Sequence, residues 1–333
     1  MSYLFPSSTI TFDAALRDLA SGSPKARAFA AHALGDVEGE TEKRRAVDAL
    51  VVALEDARPE VRAEAASSLG QLGELGPVPA LIKRLDDGAA PVRQNAAIAL
   101  GTLRAVDGFE PLAEKLATGP ADLRFQAATS LAEIDPLRSF PEILKALDDK
   151  DPQVVGAAAL SIGAIASEAN DPSLREQARL ALAPRLDHED AGAKFDLAYA
   201  LADLDDATGT KILAASLTDE ARAWDAVTAL ARLKALPELI GAAVNKKTPS
   251  EAQTLAAGRV LVSERGHQSA QKVLIDALTN RKIHVRGIAI GQLAEVGGAW
   301  AKVPLEKLAR STKGEDFGES IENALRSIAQ RAA

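Results

Sequence analysis

The chain contains no cysteine, and that one absence removes disulfides, thiolate-bound metals and thiol nucleophiles together. Aromatic residues are nearly as scarce, at 4% of 333 residues, although 47% of the chain is hydrophobic. The apolar content is therefore mostly small and aliphatic, alanine above all, which suits helices packed close together more than a compact core filled by large side chains. No segment approaches the roughly 20 apolar residues of a membrane-spanning helix, so no membrane insertion is expected. Met1 to Pro6 lack the basic start and apolar run of a signal peptide, and Ser2 removes the myristoylation signal, which leaves the cytoplasm as the expected location. Positive charge is in deficit. With 39 basic against 47 acidic residues the net charge is −8, which argues against a nucleic-acid partner.

The apparatus of catalysis is missing as well. His32, His188, His267 and His284 are scattered, and no pair has the spacing of a metal-binding helix. Neither a Gly-rich phosphate loop with its lysine nor a Gly-x-Ser-x-Gly elbow occurs. The carboxylates are plentiful but form no assignable acid–base pair. A non-enzymatic role without metal or cofactor is expected.

What the chain has is self-similarity. The segment from Pro59 to Gly73 returns around Pro24–Gly35, Val92–Leu103, Leu123–Ile134 and Val285–Val296. A leucine or isoleucine near each helix end serves as an anchor: Leu34, Leu69, Leu100, Leu131, Ile162, Leu201, Leu230, Leu261 and Leu293. Most of these segments follow a second amphipathic stretch, and Asp, Gly and Pro clusters such as Asp86-Asp87-Gly88 separate the two. No segment alternates as a strand does. The spacing predicts about ten helical hairpins, the first starting near Phe12 and the last ending near Ala329, with longer connectors at residues 35–43 and 166–174.

On a helical wheel, the slots eight, four and three before the anchor and three after it share one face, and they hold Val61, Ala65, Ala66 and Leu72, then Val92, Ala96, Ala97 and Leu103. That face is the predicted core. The slot seven before the anchor is basic in many repeats, as Arg27, Arg62, Arg93, Arg124, Lys194 and Arg286, but becomes Val155, Ala223 and Thr254 elsewhere. These cations could form an anion-binding row. Alternatively they reach inter-helix aspartates such as Asp56, Asp86, Asp148 or Asp187 and build a ladder between layers.

The combination of proline, arginine, paired alanines and leucine-glycine resembles HEAT repeats, and more closely the bacterial repeats called PBS-lyase HEAT-like. The resemblance covers nearly the whole chain. It implies an all-α, right-handed α-solenoid over residues 12–330 as a single domain, with residues 1–11, including Tyr3, Leu4 and Phe5, as an N-terminal cap or tail. Families with this pattern include phycobilin lyase subunits and transport or signalling adaptors. HEAT-like hydroxylases hold two irons with repeated His-Glu dipeptides; this chain has only His188-Glu189, so that pattern fails.

Stacked second helices imply a concave surface, and the slots opposite the core should face it. The slot six before the anchor holds Phe125, Phe195 and Trp224, with Thr129, Tyr199 and Thr228 one turn on. Either these rings are exposed anchors for a partner, or they pack sideways against the next second helix. Glu64, Glu133, Asp196, Asp203 and Asp225 add an acidic margin, while Arg232 and Arg259 are too few to attract a phosphate backbone. The candidate partner-binding set is therefore Phe125, Thr129, Phe195, Asp196, Tyr199, Trp224, Asp225, Thr228 and Arg259. The expected function is that of a scaffold or adaptor for another protein, offering a basic or amphipathic segment. The alternative that the resemblance supplies is a phycobilin lyase-like, tetrapyrrole-handling protein.

Overall fold

The computed structural model describes residues 10–332, so the N-terminal residues Tyr3, Leu4 and Phe5, expected as a cap, lie outside the described residues. Among the described residues every regular element is helical, and the architecture is the expected α-solenoid of hairpins. The chain divides into two compact units, Met1–Ala181 and Leu182–Ala333.

Unit 1 contains α1 (Phe12–Ser21), α2 (Pro24–Leu34), α3 (Glu40–Ala53), α4 (Pro59–Leu72), α5 (Val78–Arg84), α6 (Ala90–Thr102), α7 (Phe109–Thr118), α8 (Ala121–Ile134), α9 (Pro136–Lys145) and α10 (Pro152–Glu168). The division falls within α11 (Pro172–Leu182). Unit 2 contains α12 (Ala191–Asp203), α13 (Thr210–Ala215), α14 (Ala223–Arg232), α15 (Leu236–Val244), α16 (Ser250–Ser263), α17 (Gln268–Ala277), α18 (Ile283–Val296), α19 (Ala299–Ala309) and α20 (Gly318–Ala332). Among the described residues twenty α-helices run from Phe12 to Ala332. The two connectors expected to be long are short. Helix α3 already starts at Glu40, and α10 runs to Glu168 because Ile165 and Ala166 carry its buried face a further turn.

Local chemistry sets the helix ends. Pro24, Pro59 and Pro152 open α2, α4 and α10 at a position where a missing N–H costs nothing. Asp151 and Asp190 cap α10 and α12 by accepting from backbone N–H groups at 2.8–2.9 Å. The second helices end on a repeated left-handed residue four past the anchor: Gly73 at φ 78°, Arg104 at 48°, Asp205 at 59° and Lys234 at 54°. Behind the last three, the anchor carbonyl accepts the closing bond, from Ala105 to Leu100, Asp206 to Leu201 and Ala235 to Leu230, at 2.9–3.0 Å.

All nine anchors are fully buried, as are the alanine pairs Ala65-Ala66, Ala96-Ala97 and Ala127-Ala128. Second helices pack on second helices, α2, α4, α6, α8 and α10 in unit 1 and α12, α14, α16, α18 and α20 in unit 2. The glycine after the anchor explains how closely they approach in unit 1. A Cβ on Gly70 would stand 3.0 Å from Ala99 Cα, and one on Gly101 would stand 3.0 Å from Ser130 Cα. Each of those facing residues directly precedes the next anchor, so glycine on one helix meets a small residue on its neighbour.

The basic slot forms the ladder. Arg27 donates to both oxygens of Asp56 at 2.7 and 2.9 Å, Arg62 to those of Asp87 at 2.8 and 2.7 Å, and Arg124 to those of Asp149 at 2.7 Å each. Arg93 instead reaches Asp122 at 2.9 and 3.1 Å. Each loop aspartate also accepts from the N–H two residues on: Arg58 to Asp56, Ala89 to Asp87 and Asp151 to Asp149, at 2.8–3.0 Å. The second Nη of Arg62 donates to the Asp56 carbonyl at 2.8 Å, and that of Arg93 to the Asp87 carbonyl at 2.9 Å, so successive rungs are joined. Of the aspartates expected, Asp56 is in place. Asp86 gives way to Asp87, Asp148 to Asp149, and exposed Asp187 carries no rung.

Unit 2 is built differently. After the neutral slots Ala223 and Thr254, the turn is held by Asn245 and Asn280, which accept from Lys247 and Lys282 N–H at 3.0 and 2.9 Å. Arg27, Arg62 and Arg124 are thus followed by a turn aspartate, and Ala223 and Thr254 by a turn asparagine. Arg286 spends its Nη1 on the Asn280 and Arg281 carbonyls and lies 5.7 Å from the Phe317 ring centre. The clamp between α16 and α18 is Glu251, with Lys282 Nζ at 2.9 Å and His284 Nε2 at 2.6 Å. Burial works to raise the Glu251 carboxyl, but these two partners bring it down to about 2.

Candidate partner-binding grooves

The structure sorts the predicted outward residues rather than accepting them together. Phe125 and Trp224 are 38% and 42% exposed, whereas Phe195 is 5% exposed. Phe195 is therefore a core residue and not a surface anchor. It belongs to the same buried cluster as Ala223, which fills the slot where ladder repeats carry arginine, and Arg222 stands 5.5 Å from its ring centre. Tyr199 is half-buried on that cluster, 6.3 Å from the Phe195 ring, with Arg232 5.9 Å from its own. Arg232 also pairs with Asp203. Asp196 is half-buried, and burial pushes its carboxyl up against the opposing pull of Arg222.

Trp224, Thr228 and Arg259 do come together. They line one groove of about 470 Å³ in unit 2, which runs along α14 from Trp224 in its first turn to Arg232 at its end, with α16 and the start of α15 as its other walls. Leu236, Leu255 and Val262 complete its apolar wall, and Arg232 and Lys234 stand on its rim. Val262 is 53% exposed. Asp225 is exposed beside Trp224 but does not line the groove.

Unit 1 has a groove of about 610 Å³ between the end of α8, the end of α10 and the start of α9. Ala132, Leu137 and Ile165 give it apolar surface, while Arg104, Glu133, Asp135 and Glu168 give it charge. Phe125 and Thr129 lie on α8 but outside this lining, and Thr129 Oγ1 bonds back to the Gln126 carbonyl at 2.8 Å.

Both grooves share a local feature. The residue after the anchor is glycine in α4 and α6, where neighbours close tightly, but Ala132 in α8 and Ala231 in α14. Each alanine lines its groove. Val262, which also follows its anchor, lines the unit 2 groove from α16.

Sequence reasoning missed Lys234, Leu236 and Val262. The signal was present, in the loss of glycine one and four residues past the anchor. Among the described residues no three His, Cys, Asp or Glu side chains converge as metal ligands, and no helix is long and apolar enough to cross a membrane.

Residues 14–101 and 109–181 match the family of HEAT repeats. No curated protein matches the chain. Among solved structures the chain is similar to the Kap95:Nup1 complex, with a TM-score of 0.64 at 13% identity, and to importin beta, with 0.57 at 13%. In both cases 96% of this chain covers 52% of the other, so it spans about half their length. It is also similar to the CpcE and CpcF complex of phycocyanin lyase from Nostoc sp., with a TM-score of 0.45 at 21% identity, covering 82% of this chain and 97% of that one.

Proposed function

This chain is a HEAT-repeat protein, and from that premise we propose that it works without catalysis, as a scaffold that holds a protein partner in the groove of unit 2. The observation that carries the reading is the convergence of Trp224, Thr228 and Arg259 on one apolar slot. An exposed tryptophan beside exposed Val262 is surface that a monomer gains by covering, and such rings anchor interfaces.

The test is capture of the tagged chain's partner from its native host. Replacing Trp224 by Ala and Val262 by Ser is expected to abolish capture while the helical circular dichroism and melting temperature stay nearly unchanged. Undiminished capture by the double variant would remove the groove from the function.

A second reading, a tetrapyrrole-handling protein, is favoured by the cations Arg232, Lys234 and Arg259 around the same slot, which suit propionate groups. It predicts a shift in the visible absorbance of an added bilin. An unchanged spectrum would dismiss it.

A further inference from the structure

We propose that the groove of unit 2 receives an acidic amphipathic segment, its apolar side chains in the slot and its carboxylates on the rim. This rests on the scaffold reading above and adds the charge of the partner, opposite to what the outward acidic residues suggested. Both linings include the residues one, two, four and six past an anchor, Ala132, Glu133, Asp135 and Leu137 in unit 1 and Ala231, Arg232, Lys234 and Leu236 in unit 2, and at the charged slots they differ in sign. Unit 1 offers Glu133, Asp135 and Glu168 against the lone cation Arg104. Unit 2 offers Arg232, Lys234 and Arg259, with no carboxylate in the lining. In a chain of net charge −8 such a lining runs against composition.

The three cations are not equally engaged. Arg259 Nη1 donates to Glu295 at 3.2 Å and Arg232 pairs with Asp203, each from a neighbouring second helix. These carboxylates hold the planar guanidinium groups in place and leave further N–H donors for a ligand. Lys234 has no ion pair among the described residues. It stands in the left-handed conformation at the slot where α4 has Gly73, so a strained position carries a free charge at the groove mouth.

Trp224, Leu255 and Val262 supply the apolar floor that a helix with side chains at i, i+3 and i+7 would fill. Nucleic acid also brings anions, but its affinity comes from neutralising many phosphates, and three cations on an acidic protein do not provide that.

The experiment uses the full chain and fluorescence anisotropy. The probes are two synthetic amphipathic peptides with the same Leu and Phe pattern, one carrying Glu and the other Lys at its polar positions, and a single-stranded oligonucleotide. The Glu peptide is expected to bind, and to weaken about tenfold or more as salt rises. K234E/R259E should reverse the preference between the peptides, W224A should remove binding of both, and the milder K234Q/R259Q should lose affinity for the Glu peptide without gaining the Lys one. Circular dichroism of each variant establishes that it is folded. Preference of the wild type for the Lys peptide or the oligonucleotide, or binding of neither peptide, would overturn the inference. Trp224-dependent capture of the native partner would then still stand for the scaffold reading, whereas that reading fails on its own if capture ignores Trp224.

Discussion

Arg62 and Asp87 show what one rung of the ladder does, since their side chains are 16% and 4% exposed and their two bonds are parallel and short. Removing the arginine alone would take both short bonds from a buried carboxylate and leave it with Arg84 Nη1 at 3.5 Å and the Ala89 N–H. Arg62→Ala is therefore expected to cost about 2–3 kcal/mol in urea unfolding. Adding Asp87→Asn should restore much of the loss, because it copies the neutral pairing of Thr254 with Asn280, whose amide keeps the turn. A double-mutant cycle measures the coupling, and strictly additive effects would contradict it. The slot was legible in sequence; its partners were legible only to within a residue. In Asp86-Asp87 and Asp148-Asp149 the choice is made by the turn, which needs the carboxylate two residues before a free N–H, and that geometry has no mark in a run of two identical residues.

The left-handed residues add a second prediction at this scale. Arg104 holds φ 48° where α4 has glycine at φ 78°. Arg104→Gly relieves about 1–2 kcal/mol of steric cost and gives back part of it as unfolded-chain entropy, for a net stabilisation of about 0.5–1 kcal/mol. A raised urea midpoint is the expected reading, and a lowered one would mean that Arg104 contributes contacts worth more than the strain.

Between elements, glycine after the anchor lets α4 and α6 approach the next second helix closely. Gly70→Ala should improve the intrinsic helicity of α4, yet its methyl would meet Ala99 Cα and Cβ at 3.0 Å. Crowding wins by about 1–2 kcal/mol, read as a lower melting midpoint. The element order and the nine anchors were readable because each repeat states the same pattern again. The grooves were not, because the hydrophobic wheel treats Gly70, Ala132 and Ala231 as near equivalents and does not mark which side chains line a gap between helices. Phe195 was ambiguous because its slot borders the core face, and in the structure its ring joins the buried cluster that includes Ala223.

Across the molecule the two units hold their layers by different electrostatics, and acid should expose the difference. Burial opposes it, but the arginine bonds hold Asp87 and Asp149 below the ordinary carboxylate range; for Asp56 the Arg27 bond is the leading cause of the same depression. A depressed folded pKa means that the stabilisation is complete above the unfolded value, about 3.9, and is lost as pH falls through the folded ones. Unit 2 has the corresponding clamp at Glu251, depressed to about 2. Hydrogen exchange followed from pH 5 downward is expected to show amides of α4, α6 and α8 in unit 1, and of α16 and α18 at the Glu251 clamp, losing protection before those of α14. Simultaneous loss would argue that the rungs carry little of unit 1's stability. The fold as a whole was evident from repetition alone, whereas the split in chemistry between units was visible only as fading of the basic slot at Ala223 and Thr254.

The pairing of slot and turn has a consequence for how such a chain can grow. Every rung takes its cation from one hairpin and its acceptor from the next, so a hairpin has a donor edge and an acceptor edge, like a plug and its socket. Copying α3–α4 in tandem within unit 1 would present matched edges at both joints. Splicing the same hairpin ahead of Asn245 would leave Arg62 facing a neutral amide, and a duplication of that kind would cost stability even though every apolar contact were preserved.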